Sequence, residues 1–236
     1  MKDIDDKSID LTVTSPPYDN LREYNGFTWD FENIAKELYR VTKDGGVMVW
    51  IVNDSTVKGS ETGTSFKQAL YFKEIGFNLH DTMIWHKVSP YQDKNRYIAS
   101  FEYMFILSKG KPKTANLIKD RKNKWAGTKV HGNERLKNGE MRQLSDVQKS
   151  KCIKEYGSRF NIWNITPNKK NNGHPAVFPE QLAIDHILSW SNENDIILDP
   201  FMGSGTTAIA CKNVNRYFIG MEKDETYYNI ACKRIM

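Results

Sequence analysis

One segment near the carboxyl end of the chain constrains the fold more than any other. Residues 196–207 read IILDPFMGSGTT, an apolar, β-branched run followed by a glycine loop and the start of a helical pattern. Glycines at 203 and 205 let the backbone approach a ligand closely and adopt conformations closed to other residues. Glu222 stands nineteen residues after Gly203, at the end of the next predicted strand, where an acidic side chain can accept hydrogen bonds from ribose hydroxyls. The segment predicts a strand, loop and helix that bind a nucleoside cofactor.

Strand and helix patterns alternate along most of the chain. Strands are predicted at 9–14, 47–52, 79–86, 101–107, 195–198 and 217–221. Helices are predicted at 29–41, 66–75, 179–190 and 206–213 and from 224 onward, with a turn at 44–46. This alternation predicts an α/β fold, a sheet with helices on its faces.

Length and composition exclude several classes of protein. The 236 residues suffice for one α/β domain with an embedded insertion. No run of 18 apolar residues occurs and the first residues are polar, so we expect neither a membrane span nor a secretory signal, and a cytoplasmic protein. Three cysteines without CxxC spacing argue against a disulfide framework and against a metal site.

Positive charge is concentrated in one segment. From Lys109 to Arg159 there are 15 Lys/Arg against 5 Asp/Glu, a net charge of +10, while the remainder carries −5. The periodic patterns also fail there, so we predict an insertion at 109–160 between two halves of one domain, 1–108 and 161–236. Such a segment can follow a phosphate backbone, although a solvated basic loop would have the same composition. The lysines selected as DNA contacts are Lys111, Lys113, Lys122 and Lys124.

A second cluster of candidate residues follows the first predicted strand, at Thr14-Ser15-Pro16-Pro17-Tyr18. Consecutive prolines hold Ser15 and Pro16 extended, so a hydroxyl oxygen and a backbone carbonyl can converge on one NH₂ group. An exocyclic base amine is a poor nucleophile because its lone pair is delocalised into the ring. Two acceptors would favour a pyramidal nitrogen and direct its lone pair, and Tyr18 could stack on an extruded base. An ordinary proline turn is the alternative.

Four segments carry a family resemblance. TSPPY at 14–18, HPAVFPEQL at 174–182, DPFMGSGTT at 199–207 and FIGMEKDETYY at 218–228 resemble the motifs of amino-group DNA methyltransferases. Their order, with the catalytic motif first and the cofactor motif last, resembles the permuted β group of that family. The resemblance implies a circularly permuted, Rossmann-like methyltransferase sheet, and an enzyme that uses S-adenosylmethionine as its methyl donor. It also implies that the basic insertion is the target-recognition region and that duplex DNA is the substrate.

The resemblance assigns roles to individual residues. The catalytic loop comprises Ser15, Pro16, Pro17 and Tyr18. The residues expected around the cofactor are His174, Pro175, Phe178, Pro179, Asp199, Pro200, Phe201, Gly203, Ser204, Gly205, Thr206 and Glu222. Of these, residues 174–179 belong to the motif that holds the methionine end, and Glu222 holds the ribose.

The sequence leaves alternatives for both the target base and the activity. Serine in the first position of the catalytic motif favours cytosine N4 in this family, whereas aspartate favours adenine N6, and the same two acceptors serve either amine. Cytosine C5 methylation is excluded because it needs a cysteine nucleophile, and none lies near a suitable loop. An RNA or protein amide methyltransferase suits the basic insertion less well.

A departure from the family supports a third alternative. Members usually have a further strand before the catalytic motif, near the adenine of the cofactor, and only fourteen residues precede Ser15 here. We therefore expect an adenine site open on one side, and a DNA-binding protein without activity is the corresponding alternative. A cognate restriction endonuclease and a monomer or homodimer are further expectations.

Overall fold

The computed structural model describes residues 1–17, 30–87, 94–167 and 178–236. It divides into a larger unit, Met1–Asn116 with Asn161–Met236, and a smaller unit, Leu117–Phe160. The smaller unit is thus an insertion in the sequence of the larger one. Residues 109–116, predicted within the insertion, belong to the larger unit.

Strands and helices alternate through the described residues. In chain order the strands are β1 (Ile9–Thr14), β2 (Thr42–Val52), β3 (Thr56–Val57), β4 (Ser60–Glu61), β5 (Asn78–His86), β6 (Phe101–Ser108), β7 (Arg121–Lys122), β8 (Asn133–Arg135), β9 (Met141–Gln143), β10 (Tyr156–Gly157), β11 (Ile162–Asn164), β12 (Ile196–Asp199) and β13 (Tyr217–Gly220). The helices are α1 (Phe31–Val41), α2 (Thr64–Glu74), α3 (Asp146–Lys149), α4 (Glu180–Trp190), α5 (Thr206–Asn213) and α6 (Glu225–Ile235).

A mixed sheet forms the centre of the larger unit. Its strand order is β11-β5-β6-β2-β1-β12-β13. β6 runs antiparallel to β2 and β5, whereas β1 pairs in parallel with β2 and β12, and β12 with β13. The carboxyl ends of β2, β1, β12 and β13 therefore meet at one edge, where open α/β sheets bind ligands. The predicted α/β sheet is confirmed.

Several aromatic side chains pack against one another in the core that includes residues of α1 and α2. Trp50 and Phe72 are fully buried, and their ring centroids lie 5.0 Å apart in an edge-to-face arrangement. Phe31 packs edge-on against Phe72 at 5.3 Å. The indole N–H of Trp50 donates to Gln68 Oε1 at 2.9 Å, which satisfies the one polar group that this ring buries.

Helix α1 has a side-chain partner at each end. Asp30 accepts a hydrogen bond from the Asn33 N–H at 3.2 Å. At the other end, the Lys109 ammonium donates to the carbonyls of Tyr39 and Thr42, at 2.7 and 3.0 Å. Lys109 is only 8% exposed, and burial lowers its pKa. This lysine, counted above in the basic segment, therefore stabilises the negative end of a helix and does not face solvent.

Strand β2 begins earlier than predicted. It starts at Thr42, whereas the sequence pattern placed the start at Val47 after a turn at 44–46. Ile9 pairs with Thr42 and Leu11 with Val47, so the register shifts across the predicted turn. Gly45 and Gly46 therefore lie within an irregularity of the pairing between β1 and β2, similar to a β-bulge, and the chain continues in the same direction.

In residues 1–17, 30–87, 94–167 and 178–236, no helix is long and apolar enough to cross a membrane. The same residues contain no group of three or more His, Cys, Asp or Glu side chains that could hold a metal ion. All three cysteines are free thiols, of which Cys211 is buried and Cys152 exposed.

Two substitutions on α2 test the assignment of the core. Phe72→Ala removes a fully buried ring and should lower the free energy of unfolding by about 3 to 5 kcal/mol. Leu70→Ala, on the same helix but 63% exposed, should change it by less than about 0.5 kcal/mol. Urea unfolding of both variants measures the difference, and equal effects would contradict the packing described.

Candidate active site

The ends of β1 and β12 lie side by side at the carboxyl edge of the sheet. Leu11 pairs with Ile197, and Thr12 with Leu198. The loops that follow, residues 15–17 and 200–205, therefore leave the sheet next to each other. These are the loops predicted to hold the target amine and the cofactor.

A buried carboxylate connects the two loops. Asp199 is 3% exposed. Its Oδ1 accepts a hydrogen bond from the Thr14 hydroxyl at 2.6 Å and another from the Phe201 N–H at 3.1 Å. Its Oδ2 accepts from the Thr207 hydroxyl at 2.6 Å. One side chain thus joins the end of β1, the glycine loop and the first turn of α5.

The ionisation of Asp199 reflects its burial. Desolvation raises its pKa from 3.8 to about 6, and the negative charge of Glu222 acts in the same direction. The hydroxyls of Thr14 and Thr207 and the Phe201 amide favour the carboxylate and oppose this rise. The loss of hydration outweighs these three donors.

The glycine loop is held by backbone contacts. Met202 N–H donates to the Met221 carbonyl, and Gly205 N–H to the Met202 carbonyl, both at 2.9 Å. Gly203 and Gly205 have φ angles of 51° and 83°, in the region that favours glycine. A Cβ atom at Gly205 would also lie 3.1 Å from the Cβ atom of Ala231 in α6. The loop conformation therefore depends on glycine at both positions.

Glu222 follows β13 and contacts the same loop. Its carboxylate accepts from the N–H groups of Gly203 at 2.8 Å, Lys223 at 2.9 Å and Asp224 at 2.8 Å. The residue is half-buried. A carboxylate has about four acceptor positions, and with two of these donors on Oε1 and one on Oε2, one position on Oε2 stays available for a further donor such as a hydroxyl. The sequence analysis missed this bracing of the loop.

The predicted catalytic loop lies directly beyond β1. Pro16 is buried, and Ser15 and Pro17 are half-buried. Tyr18, predicted to stack on the base, falls outside the described residues. Because β1 and β12 pair, Ser15 and Pro16 leave the sheet beside the glycine loop.

The methionine-end motif is described only in part. Phe178 is half-buried, and Pro179 is buried at the start of α4, where its carbonyl accepts from the Leu182 N–H at 3.0 Å. His174 and Pro175 fall outside the described residues. The part of the motif within the described residues thus forms the beginning of a helix of the larger unit.

The remaining predicted cofactor residues belong to the glycine loop or to the first residue of α5. Pro200 is half-buried, and Ser204 and Thr206 are 3% and 5% exposed. The Arg234 guanidinium in α6 donates to the Ser204 carbonyl at 2.5 Å and to its hydroxyl oxygen at 2.9 Å. The Ser204 side chain is therefore engaged within the protein.

Sequence reasoning missed Thr14, Thr207 and Arg234. Both threonines stand inside the motifs quoted above, so a signal was present. Their shared partner becomes apparent only when β1 and β12 are known to be neighbours. Arg234 follows no pattern that could have identified it.

The four lysines selected as DNA contacts are divided between the units. Lys111 and Lys113 are exposed in the larger unit, and Lys122 and Lys124 are exposed in the smaller one. All four charges are accessible within their own units.

Comparison with known proteins identifies the family. A model described as DNA methylase, labelled for N6 and N4 methyltransferases, matches residues 9–233. The chain belongs to the N6/N4 DNA methylase family. It is an S-adenosylmethionine-dependent DNA methyltransferase of the exocyclic-amine type, which confirms the predicted enzyme class and cofactor. The circular permutation stays a prediction.

Several relatives of this N6/N4 DNA methylase extend over nearly its whole length. Orphan methyltransferase M.BamHII of Bacillus amyloliquefaciens is 59% identical, over 99% of this chain and 91% of its own. Type II methyltransferase M.BglII of Bacillus subtilis is 30% identical, over 97% of this chain and 64% of its own. The M1.HpyAVI complex with S-adenosylmethionine has a TM-score of 0.61 at 27% identity, covering 99% of this chain and 90% of that one. PvuII DNA methyltransferase shares the fold, with a TM-score of 0.70 at 20% identity, covering 100% of this chain and 82% of that one.

The glycine loop of this N6/N4 DNA methylase fits S-adenosylmethionine. Gly203 and Gly205 present backbone without Cβ atoms, which lets a ligand approach closely. Glu222, at the end of the neighbouring strand, has the charge and position suited to ribose hydroxyls.

The buried carboxylate predicts an unusual pH dependence of stability. Because the folded-state pKa of Asp199 is raised to about 6 from 3.8, the folded protein binds this proton more tightly than the unfolded chain does. The free energy of unfolding should therefore fall as the pH rises from about 4 to about 6, by on the order of 3 kcal/mol. Relative to wild type, Asp199→Asn should gain stability between about pH 4 and pH 7.

Urea unfolding at several pH values measures this difference. Asp3→Asn, which alters an exposed carboxylate, serves as the control and should follow the wild-type profile. Parallel profiles for wild type and Asp199→Asn would show that the carboxylate is not desolvated as described.

Proposed function

We propose that this enzyme methylates cytosine N4 in duplex DNA. The observation that carries the proposal is Ser15, which directly follows β1 and lies beside the cofactor loop at the carboxyl edge of the sheet. Serine at this position of the motif favours cytosine N4 in the family. Adenine N6 is the competing target, because both amines offer two N–H groups.

The proposed mechanism uses two acceptors from the catalytic loop. The Ser15 hydroxyl oxygen and the Pro16 carbonyl each accept one N–H of the target amine, which favours a pyramidal nitrogen and orients its lone pair. When bound, S-adenosylmethionine would supply an electrophilic methyl group: as the N–CH₃ bond forms, the S–CH₃ bond breaks to leave a neutral thioether, and the amine releases one N–H proton to water. Pro17 has no N–H, so this position adds no backbone donor that would compete with the amine for these two acceptors.

The target base has to leave the helical stack to reach this loop, because its amine is otherwise paired within the duplex. Tyr18 is the side chain proposed to stack on it. Residues 174–179 and 199–206 are proposed to surround the cofactor, with Glu222 at the ribose. Asp199 contributes by shaping the loop, since its oxygens already accept from protein donors.

Nucleoside analysis tests the assignment. Mixed-sequence duplex DNA is incubated with the enzyme and cofactor labelled in the methyl group, digested, and separated into nucleosides. Label in N4-methylcytosine supports the proposal. Label in N6-methyladenine would overturn the target, and unlabelled DNA together with intact cofactor binding would favour the alternative of a DNA-binding protein without activity.

Ser15→Ala should reduce turnover much more than cofactor binding. Loss of one polar group that stabilises a transition state typically costs about 10²- to 10³-fold in kcat. Because the cofactor is held mainly by the other loop, its Kd should stay within about twofold of wild type. Single-turnover kinetics and calorimetry measure the two quantities, and an unchanged kcat would remove Ser15 from the mechanism.

The smaller unit is proposed to contact the DNA. It carries 12 Lys/Arg against 5 Asp/Glu. Within residues 117–160, all of which are described, only Arg142 and Arg159 pair with carboxylates, those of Glu134 and Asp120. None of its residues is buried, and Trp125 and Phe160 are 62% and 66% exposed. Accessible cations and aromatic rings are what backbone contact and base stacking require.

A salt titration tests this assignment. The logarithm of DNA affinity should fall with the logarithm of salt concentration, and each lost phosphate contact should reduce the slope by about 0.9. Replacing Lys122 and Lys124 by Gln should therefore flatten the slope without altering cofactor binding. A second double variant, of Lys111 and Lys113, tests the contacts proposed on the larger unit.

Lys67 and Lys73 on α2, replaced by Gln together, provide the control with the same change in charge. This control should keep the wild-type slope. If the Lys122 and Lys124 variant also keeps it, the recognition region lies elsewhere. A cognate restriction endonuclease, the oligomeric state and a cytoplasmic location stay predictions.

A further inference from the structure

Thr14 occupies a particular position between β1 and the catalytic loop. It is the last residue of β1, it pairs with Trp50 of β2, and it is fully buried. The next residue is Ser15. Any change in the placement of Thr14 is therefore transmitted directly to the proposed catalytic hydroxyl.

The Thr14 side chain is engaged within the protein. Its hydroxyl donates to Asp199 Oδ1 at 2.6 Å, across 185 positions of sequence. The same oxygen accepts from the Phe201 N–H, the second residue of the glycine loop. A single carboxylate oxygen thus connects the residue before Ser15 to the loop that receives the cofactor.

We propose that Thr14 is a positioning residue for methyl transfer, one that fixes the distance between the Ser15-Pro16 acceptors and the methyl donor through Asp199. The proposal rests on the function proposed for Ser15. Reacting atoms need to approach within about 3 to 3.5 Å in line, and a misplacement of about 1 Å can cost about 10²-fold in rate. A short hydrogen bond to a buried carboxylate is well suited to hold such a distance, because water cannot replace it.

Thr207 provides a matched control within the same cluster. Its hydroxyl also donates to Asp199 at 2.6 Å, and it is also buried, at 1% exposure. It belongs to α5, however, and does not lead into the catalytic loop. Loss of either hydroxyl removes one donor from the same carboxylate. Thr207→Val also removes a longer, 3.4 Å contact with the Val13 carbonyl, whereas Thr14→Val releases the residue that directly precedes Ser15.

The experiment compares Thr14→Val, Thr14→Ser, Thr207→Val and Ser15→Ala in the full chain. For each variant, kcat and the KM for duplex DNA are measured, and the Kd of S-adenosylmethionine is measured by calorimetry. Thr14→Val should lower kcat by at least about tenfold with a cofactor Kd within about twofold of wild type. Thr14→Ser, which keeps the hydroxyl, should restore most of kcat. Thr207→Val should weaken cofactor binding more than it lowers kcat.

Three other outcomes would overturn the proposal, and each shows which part of it fails. If Thr14→Val keeps wild-type kcat while Ser15→Ala loses it, the positioning role falls and the proposed function stands. If Ser15→Ala keeps wild-type kcat, the proposed function falls, and Thr14 cannot act through Ser15. Should Thr14→Val not fold, Thr14→Ala, which places no methyl group against Asp199, replaces it. Loss of cofactor binding in both Thr14→Val and Thr14→Ser would make Thr14 a structural residue only.

Discussion

The buried carboxylate of Asp199 is the contact on which the arrangement of the site depends. It accepts from Thr14, Phe201 and Thr207, which belong to β1, the glycine loop and α5. A carboxylate with so little exposure is stable only when donors surround it, because desolvation alone would drive it to the neutral form. The three donors and the acid therefore stabilise one another, and the loops they belong to are held in one arrangement.

The order of strands in the sheet makes this contact possible. β1 and β12 are far apart in sequence but pair in parallel, so their carboxyl ends deliver Thr14 and Asp199 to the same point. β13, the next strand, delivers Glu222, whose carboxylate braces Gly203 through a backbone N–H. The loops proposed to hold the target amine and the cofactor, and the acid proposed at the ribose, thus follow three adjacent strands of the sheet.

The smaller unit differs from the larger unit in the exposure of its side chains. It buries none of its residues, and its lysines and aromatic rings stay accessible, whereas the larger unit has a fully buried aromatic core around Trp50 and Phe72. Composition alone could indicate the basic character of this region, but not which of its lysines are accessible. Lys109 was counted with it, yet the structure places this lysine at the end of α1, because a buried ammonium is satisfied there by two carbonyls.

By itself, the sequence determined the α/β class, most strands and helices, the family and its cofactor, because each of these depends on local patterns: apolar periodicity, glycines at 203 and 205, and contiguous motifs such as TSPPY. It also placed Ser15 and Glu222 at strand ends. Only the tertiary structure decided which strands are neighbours, and therefore that Thr14 and Thr207 share the Asp199 carboxylate, that Arg234 holds Ser204, and that Lys109 is buried. The physical reason is that these contacts join residues distant in sequence, and a hydroxyl or an ammonium group carries no local sign of the partner that the fold brings to it.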